Sequence, residues 1–113
     1  MIKKLSPLLA FLFLFSSPLR AVDPAAMKEQ ANSQVMAAAQ LMQKATETAQ
    51  SNPTAEGRQV AISLFVEAGQ MFEQAANIYQ SLGPNYAAPA DVQNAQQAMK
   101  ACIENIQKLK QAN

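Results

Sequence analysis

Between residues 61 and 82 apolar side chains recur at alternating steps of four and three: Ala61, Phe65, Ala68, Phe72, Ala75, Tyr79 and Leu82. A second row, Leu64, Ala68, Met71, Ala75, Ile78 and Leu82, adjoins the first. This spacing fits a period of 3.6 residues, and two adjoining rows give the wide apolar face of a helix covered by two neighbours. The flanking stretches carry one row each. These are Met27, Ala31, Val35, Ala38, Met42, Ala45 and Ala49 before it, and Val92, Ala95, Met99, Cys102, Ile106 and Leu109 after it. The pattern predicts three helices with the middle one as hub.

Proline and glycine set the expected limits. Asp23-Pro24 and Asn52-Pro53 each place a good N-cap residue before a proline, which is tolerated at the first helical position because its missing N–H would be unpaired there. Gly83-Pro84 stops the second helix, and the third begins near Pro89 or Asp91. The predicted helices are 24–50, 53–82 and 90–111. Connections this short make successive helices antiparallel. The expected fold is therefore all-α, an up-down-up three-helix antiparallel bundle with its hub at about 53–82. Alanine-rich seams let backbones approach closely but bury little area, so modest stability or help from a second copy is expected. The A-x-x-x-F-x-x-A texture of Ala68 to Ala75 resembles tetratricopeptide-type helical hairpins over about fifteen residues; no second copy follows at a 34-residue period, so no family is assigned.

The first residues change the picture of location. Lys3 and Lys4 precede an apolar run from Leu8 to Phe15, a Ser16-Ser17-Pro18 break and Leu19-Arg20-Ala21. That is the layout of a cleavable secretory signal, and the run is well short of the ~20 residues a spanning helix needs. The expected organisation is a signal peptide at 1–21 and one helical domain at 22–113, with an exported product, periplasmic or secreted, and no permanent membrane anchor. Cleavage removes Lys3, Lys4 and Arg20 and leaves six basic against eight acidic residues, a formal charge of −2. With no basic run, nucleic acid is not an expected partner. The single cysteine, Cys102, excludes an internal disulfide and is expected to be buried.

Candidate chemistry is sparse. The chain has no histidine, so neither a Ser-His or Cys-His nucleophile pair nor an imidazole-based zinc site can be assembled. Glu47, Glu67, Glu73 and Glu104 are scattered singly along polar faces, without the convergence that acid–base work needs. Met27, Met36, Met42, Met71 and Met99, with Cys102, could offer soft ligands to Cu(I). Four of those five methionines fall on the core rows, where methionine is a filler, so no cofactor is expected. Phe65, Phe72 and Tyr79 are expected to form a buried ladder, and Tyr86, beyond Gly83-Pro84, to fold over the bundle end or meet a partner.

The run Val60 to Val66 is apolar at six of seven positions. With Ala68 at the centre of the core face, ~100° per residue carries Ile62 and Val66 toward the outside, with Gly69 beside them. Ile62, Val66, Gly69 and Tyr86 are the candidate partner-binding residues. The expected function is a non-enzymatic module for protein–protein interaction or self-association. The alternative is a periplasmic carrier or chaperone-like binder of a small apolar ligand, soft metal or unfolded segment.

Overall fold

The computed structural model describes residues 23–112; the expected signal peptide lies outside the described residues. These residues form three helices and no strand: α1 Pro24–Ser51, α2 Ala55–Leu82 and α3 Pro89–Gln111.

Each start has a local cause. The Asp23 carboxylate accepts the Ala25 N–H at 3.3 Å, with Pro24 behind it in the first turn of α1. At α2 the cap is Thr54 rather than the expected Asn52. Asn52 still belongs to the end of α1, where its N–H donates to the Thr48 carbonyl at 2.9 Å. Thr54 Oγ1 accepts the Gly57 N–H at 3.1 Å, and the Thr54 hydroxyl donates to Asn52 Oδ1 at 2.8 Å. Pro53 is left in the connection, its carbonyl accepting from Arg58 Nη1 at 2.9 Å. One residue cannot serve both helix ends, so α2 starts two residues later than expected. At α3, Asp91 in the first turn reaches back and accepts the Ala88 N–H at 3.0 Å.

Two glycines are required by geometry. Gly83 has φ +79°, the left-handed region that ends α2 without the penalty a Cβ would bring. Gly57 stands where a Cβ would lie 1.8 Å from the Asn52 carbonyl oxygen, so only glycine lets α2 start this close to the end of α1.

Long-range bonds set direction. Gln34 near the start of α1 donates from Nε2 to Gln74 Oε1 near the end of α2 at 3.1 Å, and the Tyr79 hydroxyl donates to Asn32 Oδ1. α2 therefore runs back along α1. Gly69 of α2 faces Cys102 of α3, while Tyr79 feels the charge of Asp91, so α3 runs back along α2. The interfaces between helices are α1 on α2 and α2 on α3; α1 and α3 form no comparable interface with each other.

The core follows the predicted rows. Ala38 and Ala45 of α1, Ala61, Phe65, Ala68 and Phe72 of α2, and Cys102 of α3 form one buried cluster. Ala31, Ala75, Ile78, Tyr79 and Ala87 form a second at the end where α2 stops. The aromatic ladder Phe65, Phe72 and Tyr79 is buried as expected, and so is Cys102. Met27, Met42, Met71 and Met99 pack against these clusters, whereas Met36 is 66 % exposed. Among the described residues the one buried polar side chain is Gln34, whose Oε1 has no hydrogen-bond partner.

Candidate functional site

Because α1 and α3 both lie on α2 without packing on each other, a groove runs between them with α2 as its floor. Part of it is a half-open pocket of about 380 Å³. The floor is Phe72 and Tyr79, two turns apart on α2. One wall is Asn32, Val35 and Met36 of α1, spaced so that the three share a helix face. The other is Asp91, Asn94, Ala95 and Ala98 of α3, again one stripe at steps of three and four.

The lining is mainly apolar, with polar groups at its edges. Tyr79 brings a hydroxyl to the floor. It donates to Asn32 Oδ1, which ties the α2 floor to the α1 wall. Its pKa is raised above the usual phenol value, first by burial and then by the negative charge of Asp91. At neutral pH Tyr79 is therefore a fixed donor and not a proton acceptor. Asp91 is the single carboxylate of the lining, and no lysine or arginine stands in it. Lys28, one turn nearer the start of α1 than Asn32, falls outside the lining.

The remaining reactive groups do not join the pocket. Cys102 is enclosed in the α2–α3 seam, where burial pushes its thiol up to about 11, so it stays protonated at neutral pH. Among the described residues no three of His, Cys, Asp and Glu are grouped as a metal would need. No described helix is long and apolar enough to cross a membrane. A shallower pocket of about 300 Å³ lies on the outer side of the α1–α2 seam, between Met27 and the Gln74, Asn77, Ile78 and Ser81 stripe.

The four residues singled out from the sequence do not come together as one strip. Val66 is 42 % exposed, as expected, but Ile62 is half-buried. Gly69 is not a floor on the solvent side: a Cβ there would meet Cys102 Cβ at 3.5 Å, so it belongs to the seam with α3. The reason is angular. The hub is covered over a wider arc than a face centred on Ala68 implies, because α3 lies on the flank that holds Ile62 and Gly69. Tyr86 is 52 % exposed and Ala87 takes the buried place at the bundle end. The N–H groups of Tyr86 and Ala87 both donate to the Gly83 carbonyl, and this tight turn directs Ala87 inward.

Val35, Phe72, Tyr79 and Ala95 read in the sequence as core positions and Met36 as a methionine off the core rows, and no helix alone hints that they share one cavity with Asn32, Asp91, Asn94 and Ala98. Asn32 and Asn94 read as ordinary polar neighbours of an apolar row; only the gap between α1 and α3 makes them the rims of one cavity. Comparison of the chain with protein-family models, with curated proteins and with solved structures finds no match in any of the three.

Proposed function

We propose that residues 22–113 form an exported, non-catalytic helical module that binds an apolar stretch of another protein in the groove between α1 and α3. In this reading the signal is cut after Ala21, the product works in the periplasm or outside the cell, and the domain is a single up-down-up bundle. The observation that carries the proposal is the groove itself: two helix walls left apart over a floor of Phe72 and Tyr79. Phe72 and Tyr79 are only 3 % and 5 % exposed, so the apolar surface the groove offers to water is carried by its walls, Met36 above all at 66 % exposed, and exposed apolar side chains beside a cleft commonly mark a site of association.

The lining supports binding better than turnover. It offers a fixed donor, amide rims and one carboxylate, with no imidazole, amine or thiol to share a proton with. The test is titration of the purified 22–113 chain with amphipathic model peptides, followed by calorimetry. Met36→Glu and Asn94→Glu put a charge on an exposed position of each wall without entering the core, and each is expected to weaken binding at least tenfold while helicity stays intact. Equal binding by parent and both variants would refute the site.

A second reading is favoured by the pocket volume, which falls in the ~300–1,000 Å³ range of small-molecule sites. A carrier of a small apolar ligand would be stabilised against heat by hydrophobic small molecules and not by peptides. Fractionation of cells expressing the full chain, with intact mass of the recovered product, tests export and the cut after Ala21.

A further inference from the structure

Among the described residues sulfur stands at Met27, Met36, Met42, Met71, Met99 and Cys102. Met27, Met42, Met71 and Met99 pack against the core clusters and Cys102 is fully buried, whereas Met36 is 66 % exposed. We infer that Met36 is a selective oxidation site, at which a peroxide-class oxidant turns the thioether into a sulfoxide and the apolar wall of the groove into a polar one. The site itself stands on exposure; its effect on binding rests on the groove being a protein-binding site.

Oxidation of a thioether needs an open approach to the sulfur and no help from another protein group. A sulfur lone pair attacks one peroxide oxygen and the O–O bond breaks. The sulfur keeps that oxygen and gives up two electrons, and the other oxygen leaves with both protons as water. Access therefore ranks the sulfur atoms. A thiol competes only as thiolate, but Cys102 is enclosed in the α2–α3 seam, and burial holds it protonated. The four packed methionines are each half-buried. Met36 falls off the core rows, so no neighbouring helix covers it as the others are covered.

Position gives the modification a consequence. Met36 shares the α1 wall with Asn32 and Val35 and is the most exposed large apolar side chain of the lining. A sulfoxide replaces its flexible apolar thioether by a strong hydrogen-bond acceptor, which is costly to cover with an apolar occupant. Asn32 stands one turn earlier on the same face. Its Oδ1 is engaged by the Tyr79 hydroxyl, so its Nδ2 is the end left to donate, and the sulfoxide oxygen offers that donor an acceptor. Met36 belongs to neither buried cluster, so the wall changes polarity while the core keeps its packing.

The experiment treats the protein purified from cells expressing the full chain with limiting hydrogen peroxide and follows each methionine by peptide mass spectrometry. Met36 is expected to oxidise about threefold or more faster than Met27, Met42, Met71 and Met99, and all five at similar rates once urea unfolds the chain. A native rate at Met36 no higher than at the other four would overturn the site. With Met36 alone oxidised, the melting temperature is expected to stay within about 4 °C of the untreated protein, the scale of a surface change; a larger drop would overturn the claim that the core keeps its packing. Binding of the amphipathic model peptides is expected to weaken about threefold or more on oxidation, and Met36→Leu, which cannot take the oxygen, to bind equally before and after peroxide. Equal binding by the parent before and after would overturn the switch and leave the oxidation site standing. Absence of binding even before peroxide would remove the proposed function and the switch together, while the oxidation rates still decide the site.

Discussion

Replacing glycine by alanine at two places in the same helix should shift stability in opposite directions. In a helix interior the exchange ordinarily gains about 0.5–1 kcal/mol, because alanine loses less backbone freedom on folding. At Gly69 nothing opposes that gain: the new Cβ would lie 3.5 Å from Cys102 Cβ, an ordinary contact. Gly69→Ala is expected to stabilise by about 0.5–1 kcal/mol. At Gly57 the Cβ would lie 1.8 Å from the Asn52 carbonyl oxygen and 2.8 Å from Asn52 Cγ. Backbone is struck, not a flexible tip, so the connection must move by more than an ångström. That movement disturbs the Thr54 cap on Gly57 and the Asn52 bond that closes α1. Overpacking costs roughly 1–3 kcal/mol and a lost cap about 1 kcal/mol, against a propensity gain that is smaller near a helix start. The net expectation for Gly57→Ala is a loss of about 2–3 kcal/mol. At roughly 4–8 °C per kcal/mol for a domain of this size, the two variants should melt at least 10 °C apart. Thermal melts followed by far-ultraviolet circular dichroism read both. Shifts of the same sign, or Gly57→Ala melting with the parent, would refute the geometry of the α1–α2 connection.

Two further outcomes follow from buried groups. Gln34→Met removes an enclosed amide oxygen that lacks a partner, worth about 1–3 kcal/mol when relieved, and sacrifices its bond to Gln74, worth about 0.5–1.5 kcal/mol. Gln74 is half-buried and can turn to water, so urea denaturation should show a stability gain of about 0.5–2 kcal/mol, and a loss of stability would contradict the buried placement of Gln34. Alkaline pH acts through Cys102, pushed up to about 11 by burial, and Tyr79, raised by burial and by Asp91. Both groups hold their protons more firmly folded than unfolded, so the unfolded chain loses protons first as pH climbs. Stability should be level in the neutral range and fall from about pH 9 to 11; Cys102→Ala should flatten the early part of that fall, and an unchanged pH profile in that variant would show the thiol is not buried.

Much of this protein was decided locally. The steps of three and four fix which face of each helix is apolar, because a regular helix turns by a constant angle per residue whatever surrounds it. Hence the rows through Phe65, Phe72, Tyr79 and Cys102 are buried where the pattern places them. Gly83-Pro84 and Asp23-Pro24 mark ends legibly, since chain stereochemistry alone limits them. Where two ends compete for one residue the reading fails, as at Asn52, which closes α1 and leaves Thr54 to open α2. The candidate site was not legible at all. Gly69 sits in a seam and not on a surface because the angle between α1 and α3 around the hub sets how much of α2 is covered. The same angle leaves Asn32, Met36, Asp91 and Asn94 facing one another across a groove. Residues more than fifty positions apart become the two walls of a cavity through the packing of whole helices on a third, a relation that no periodicity within a single helix records.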